Sequence, residues 1–286
     1  MGADVDTGCQ LGLALGGGGA RGGAHIGLLK VLDEAGIRVG AIAGTSAGGI
    51  VGGLYAAGLS GAEIESLLIG IDPARVLEPD PSGWALLSTR RFLELLRQRI
   101  GDPLIEELPH PFAAVAVDLR NSREVHLSRG PLLAAIQATI AVPGILCPLE
   151  AEGCVYVDGG VLNNVPVDVA RKLGARRVLA VDVSVPIDCP LEHTSFSGLP
   201  GPARVAERIL ARARRRNAAV ALIKSWNLLC AAYTARRLQD DPPDLLLRPD
   251  LGPIPVTAMH ELRRAIAIGE RMAREHLDAI RQLASG

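Results

Sequence analysis

The sequence predicts an α/β protein with helices on both faces of a mostly parallel sheet. Three observations carry this expectation. Short apolar runs of strand length alternate with segments of helical periodicity along most of the chain. The 286 residues, 48% of them hydrophobic, can bury one sizeable core and are few for two domains. Finally, 33 glycines beside only 3% aromatics suit elements packed at close range. Residues 1–10 read as an N-terminal tail and 11–286 as a single domain.

In chain order, "LGLAL" (11–15) is strand-like and is followed by a glycine loop, "GGGGARGG" (16–23). In "AHIGLLKVLDEAG" Leu28, Leu29 and Leu32 share one helical face, and Gly36 fits a C-terminal cap. "IRVGAIAG" (37–44) reads as a second strand and "AGGIVGGLYAAGL" as a second helix. "FAAVAVDL" (112–119) and "REVHL" (123–127) are strands about an Asn-Ser turn, and "PLLAAIQATIAVPG" is a helix ended by Pro143. "CVYVDGG" is a further strand, "VPVDVARKLGA" and "RVLAVDVSV" a helix-to-strand step, and "PDLLLRPDL" a late strand before a closing helix from about Thr257.

Composition narrows the function classes. The formal net charge is -1 with no single-sign tail, which gives no electrostatic case for a nucleic-acid partner. The first residues lack a basic n-region and no 18 apolar residues run together, so the expectation is a cytoplasmic protein. Cys9, Cys147, Cys154, Cys189 and Cys230 form no C-x-x-C pair and read as free thiols.

The stretch "AGTSAGG" places Ser46 between Gly44 and Gly48 at a strand-to-helix junction. A nucleophilic hydroxyl on a strained elbow needs such a place, with no Cβ where backbone crosses backbone. The alternative is a Gly/Ala-rich helix with an incidental serine. The loop at Gly17, Gly19 and Gly22 also matches G-x-G-x-x-G, which cradles a pyrophosphate in nucleotide-binding folds or offers amides to an oxyanion. A dinucleotide site wants an acidic residue at the end of the next strand, where this chain has Gly44-Thr45-Ser46. That favours the oxyanion reading over a Rossmann-like one.

None of the six histidines (25, 110, 126, 193, 260, 276) sits in a context that marks it as a base for Ser46. Asp158 does stand out, following "CVYV" and opening the turn Gly159-Gly160. An ordinary Asp-Gly turn would look the same. In a parallel sheet, however, strand C-terminal ends gather along one edge, which would place Ser46 and Asp158 on one crevice.

Taken together, "GGGGARGGAHIGLLKVLDEAGI", "AGTSAGG" and "DGGVLNNVPVDVARKLGA", in that order, resemble the patatin-like phospholipases, most closely the bacterial and neuropathy-target-esterase-type branch. "AVAVDLRNSREVHLSRGPLLAAIQATIAVPGILCPLE" and "DPPDLLLRPDL" support the likeness, while residues 186–215 form a poorly matched insertion. The resemblance implies a three-layer α/β/α sandwich and a Ser-Asp dyad, Ser46 as nucleophile and Asp158 as base. It also implies an oxyanion hole at Gly17, Gly18 and Gly19, with Arg21 supporting the loop. The implied reaction is hydrolysis of a lipid ester through an acyl-serine, with no cofactor and no metal. A non-catalytic scaffold on the same fold is the alternative.

The insertion carries one more pattern. Arg204, Arg208, Arg212 and Arg216 recur every four residues, within a run of six arginines and one glutamate between 204 and 216. A helix of this kind suits peripheral contact with an anionic membrane, and the alternative is a solvated arginine face.

Overall fold

Leu11–Leu15 is buried at every position, and that uniform burial belongs to a strand in the middle of a covered sheet. The computed structural model, which describes residues 11–187 and 216–285, places this strand, β1, between two parallel neighbours. These are β2 (Ala41–Thr45) and β9 (Arg177–Val181). Beyond β9 lies β10 (Leu245–Leu247), and beyond β2 lies β5 (Phe112–Asp118), both again parallel. A small ribbon, β3 (Glu78–Pro79) with β4 (Leu87–Ser88), stands apart.

Three strands depart from the parallel pattern. β6 (Arg123–Leu127) folds back along β5 after a turn at Ser122, whose φ is 51°. β7 (Leu149–Ala151) and β8 (Cys154–Asp158) form a hairpin, and β8 pairs antiparallel with β5. A strand has only two edges. β6 takes Ala114–Asp118 on one of them; β2 pairs with Phe112–Val115 and β8 with Ala116–Asp118, so β2 and β8 share the other. They run toward each other and meet head to head. The expectation that Asp158 arrives on a parallel strand is therefore corrected: an antiparallel strand brings it to the same level.

The two sheet faces bury different residues. Leu11, Leu13, Leu15 and Ile42 lie in a core of large side chains with Leu28 and Leu29 of α1 (Gly23–Glu34), Leu54 of α2 (Ala47–Ala56) and Ile136 of α6 (Leu132–Ile140). The other face is lined by Ala14, Ala41, Ala43 and Ala180, which admit Val167 and Val169 of α7 (Val167–Lys172) and Leu238 of α8 (Arg216–Asp240). Helices thus cover both faces, giving three layers. α3 (Gly61–Ile69) begins with a capping box between Ser60 and Glu63, and α4 (Pro73–Val76) and α5 (Arg90–Ile100) follow. α9 (Leu262–Glu275) lies against α1, and α10 (Leu277–Ser285) ends the described chain.

Local boundaries shift for identifiable reasons. α1 closes in a Schellman motif, with Gly36 N–H bonded to Asp33 O at 3.1 Å and Ile37 N–H to Leu32 O at 3.0 Å. Gly36 takes φ 65° as expected, but this turn occupies Ile37, so β2 starts at Ala41 rather than at residue 37. The closing helix starts at Leu262, after a 3-10 turn at Met259–Glu261, rather than near Thr257. Arg204, Arg208 and Arg212 lie outside the described residues, and Arg216 opens α8. No helix among the described residues is long and apolar enough to cross a membrane.

Candidate active site

The turn from β2 to α2 is strained where Ser46 sits. Its φ of 53° and ψ of -120° lie outside the regions that non-glycine residues ordinarily adopt, at a cost on the order of 1–3 kcal/mol. Several contacts hold it there. The Ser46 N–H donates to Thr139 Oγ1 at 2.9 Å, and that hydroxyl donates to Val115 O at 2.6 Å. Thr45, fully buried, donates its hydroxyl to Asn163 O at 2.8 Å. The glycines either side permit the crossing: a Cβ on Gly44 would strike the backbone of Gly48, and one on Gly48 would strike the carbonyl of Leu15. Gly22 gives the same clearance to Ala47.

Asp158 ends β8 and is 3% exposed. Its N–H donates to Ala141 O at 2.9 Å, and its Oδ1 accepts the Gly160 N–H at 2.8 Å. Burial pushes its pKa up to about 6, against the opposing pull of that amide and of a hydrogen bond from the Ser46 hydroxyl. Gly159 lies against the backbone of Val115, which seats the turn on β5. The sheet thus brings Ser46 and Asp158 together.

The glycine loop lies over the serine. A Cβ on Gly17 would come within 3.0 Å of Ser46 Cβ. The loop's amides are not equivalent. Gly17 N–H already donates to Asn164 O at 3.1 Å, while Gly18 and Gly19, which are the more exposed, donate no hydrogen bond among the described residues. Of the three amides, those of Gly18 and Gly19 thus meet no acceptor among the described residues. Arg21, 3% exposed, donates to the carbonyls of Val183, Ser184, Gly252 and Ile254 at 2.9–3.2 Å. It ties the loop to the segments that follow β9 and β10.

The described histidines are held elsewhere. His25 is wholly buried, and burial lowers its pKa to about 4, so it is neutral. Its Nε2 donates to Gly16 O at 2.7 Å. His110 stacks on Tyr55, and His126 pairs with Glu124 at 2.7 Å. His276 bonds Met272 O, and His260 lies 3.8 Å from Glu261. Among the described residues one group, Glu124, His126 and Asp168, could offer ligand atoms to a metal ion, but Arg237 and Lys172 already supply cationic partners to its carboxylates.

Sequence reasoning missed Thr139, Asn163 and Asn164. Asn164 Nδ2 donates to Gly17 O at 3.1 Å and to Ser184 Oγ at 3.0 Å, joining the aspartate turn to the glycine loop. The pair "NN" five residues past Asp158 is visible in the sequence, but only its place in the fold gives it a role.

The patatin-like phospholipase family model matches residues 13–171. An uncharacterized NTE family protein of Mycobacterium tuberculosis is 40% identical over 177 residues, covering 61% of this chain and 49% of the relative. Patatin-like phospholipase domain-containing protein 6 of Homo sapiens is 36% identical over 191 residues, 63% of this chain and 14% of that protein. Neuropathy target esterase sws of Drosophila melanogaster is 32% identical over 201 residues, 65% and 14% respectively. The chain thus matches about half the length of the mycobacterial relative and a seventh of the animal ones. In fold it is similar to VipD from Legionella pneumophila, with a TM-score of 0.57 at 16% identity, covering 95% of this chain and 67% of that one. With more than half its length matched by the family model, the chain belongs to the patatin-like phospholipase family.

Proposed function

We propose that this protein is a serine acyl hydrolase that cleaves carboxylic esters of lipids, phospholipid or lysophospholipid, with Ser46 and Asp158 as its catalytic dyad. The observation that carries the reading is the meeting of the two strand ends on β5, which sets a strained serine beside a buried carboxyl.

Ser46 Oγ attacks the ester carbonyl while Asp158 takes its proton. The Gly18 and Gly19 amides receive the negative charge that develops on the carbonyl oxygen. The alcohol leaves with the proton returned by Asp158, and an acyl-serine remains. Water, deprotonated by the same carboxylate, then releases the fatty acid. An ordinary aspartate near pKa 3.9 is too weak a base for this at neutral pH. The raised value of about 6 narrows the mismatch and still leaves about nine-tenths of the groups ionised at pH 7.

A lipid substrate is supported by what lies alongside. Burial, helped by the nearby charge of Asp158, pushes the Cys230 thiol of α8 up to about 12. The same helix exposes Leu222, Leu228, Leu229 and Tyr233, apolar side chains suited to contact with lipid. We further propose that Arg204, Arg208, Arg212 and Arg216 contact an anionic membrane peripherally.

Product profiling by mass spectrometry on defined phospholipids, lysophospholipids and neutral esters tests the function. Fatty-acid release that disappears in Ser46→Ala is the expected result. A wild type that releases none from any member of the panel would favour the non-catalytic scaffold.

A further inference from the structure

A polar cluster on the far side of the aspartate turn joins four elements that the reaction itself leaves unused. Asn163 is fully buried, and its Nδ2 donates to Glu124 Oε1 at 2.8 Å and to Asp168 Oδ1 at 2.9 Å. Arg237 of α8 lies across the same two carboxylates. Its Nη1 donates to Glu124 Oε2 at 2.7 Å and its Nη2 to Asp168 Oδ1 at 3.0 Å. Nη1 also donates to Leu162 O at 3.2 Å. His126 Nε2 and Lys172 Nζ complete the cluster, 2.7 Å from Glu124 Oε1 and 2.8 Å from Asp168 Oδ2.

These bonds converge on the turn that carries Asp158. The amides of Leu162 and Asn163 donate to Gly159 O at 3.0 and 2.8 Å, and Asn163 O receives the Thr45 hydroxyl at the end of β2. We propose that Arg237 is a positioning residue: by bridging Glu124, Asp168 and the Leu162 carbonyl it presses the aspartate turn against the end of β2 and so sets the spacing of Ser46 and Asp158. This rests on the dyad reading of those two residues.

The electrostatics give the bridge its force. Glu124 and Asp168 point oxygens at one amide nitrogen, an arrangement two carboxylates hold only with positive charge between them. Without the guanidinium the carboxylates repel, Leu162 O loses a donor, and the turn relaxes away from Thr45. Displacements of about 1 Å at a reacting pair are enough to cost about 10²-fold in rate. Only the arginine fork reaches all three acceptors at once, and a lysine replaces its charge without that geometry.

The test uses the full chain, a short-chain p-nitrophenyl ester, and melting curves to establish folding. Arg237→Gln is expected to lower kcat about 10²-fold with KM changed less than about threefold, because the substrate's own contacts are untouched. Arg237→Lys should recover part of the loss, and Arg236→Gln, exposed on the same helix, should match the wild type. Should Arg237→Gln not fold, Asp168→Asn removes one anchor without emptying its space, and its kcat should fall about tenfold. A folded Arg237→Gln (or, in its place, Asp168→Asn) with kcat within threefold of the wild type overturns this proposal alone. Hydrolysis that survives Ser46→Ala overturns the dyad reading and this proposal with it.

Discussion

Asp158→Asn should make the protein more stable while destroying its activity, and the size of the gain can be worked from the burial of the carboxyl. Asp158 has its pKa raised from 3.8 to about 6 in the folded chain. Between those values the folded state holds a proton that the unfolded state has released. Stability therefore falls as pH rises through that window and stays at its lower level above it. The ionised group costs under about 1 kcal/mol at pH 4, about 2 at pH 5 and about 3 at pH 7. Asparagine keeps the shape and can still accept the Gly160 N–H, but it carries no charge to desolvate. The stability difference between variant and wild type should therefore grow with pH by about 2 kcal/mol from pH 4 to 7, then level off. For a chain of 286 residues, 3 kcal/mol is a gain of about 5 °C in Tm. Thermal or urea unfolding of both proteins at four pH values measures it. A difference that is flat with pH, or that shrinks as pH rises, would refute the argument that burial holds this carboxyl above its ordinary range.

Other expectations follow from the same geometry. Ser46→Ala and Asp158→Asn should each lower esterase kcat by about 10³-fold or more without adding in the double variant, and a fluorophosphonate should label the wild type but not Ser46→Ala. Replacing His110, His260 or His276 by alanine, or adding a chelator, should leave ester turnover within about threefold of the wild type; a folded variant that loses activity would mean a histidine base. Gly48→Ala forces a methyl into the Leu15 carbonyl and should cost about 3 kcal/mol or more, read as lost Tm or lost soluble yield. Sedimentation with liposomes should increase with anionic lipid, decrease with salt, and drop when Arg204, Arg208, Arg212 and Arg216 become glutamine; equal pelleting of that variant would return the segment to a solvated face.

Much of the site was legible because chemistry and chain geometry coincide locally. A serine between glycines at a strand-to-helix turn is a short-range pattern, and so is a glycine loop after an apolar strand. The direction of β8 was not legible from "CVYVD", since alternation marks a strand without marking its sense. Its signal lay in Glu152-Gly153, both with positive φ, which make the two-residue turn of the β7–β8 hairpin. Glutamate there disguises a turn that asparagine or aspartate would have announced. Asn163 and Arg237 were invisible for another reason: Glu124 is distant in sequence from both, as Asp168 is from Arg237, and a lone arginine on a helix gives no hint of two half-buried carboxylates waiting for it.

The shared edge of β5 makes the spacing of Ser46 and Asp158 a matter of whole steps. Each strand advances about 3.3 Å per residue and turns its side chains to alternate faces. Deleting one residue from β8 would draw the carboxyl back by a full step and point its successor to the opposite layer, a displacement that relaxation of the turn does not make good. Between residues 46 and 158 the groups that bear on the pair besides β5 are few, Glu124, Thr139 and Ala141 among them, and the length of chain that separates them does not enter the register. Anyone transplanting this site into another sheet would need to carry three short strands and their offset, and could leave the sequence distance behind.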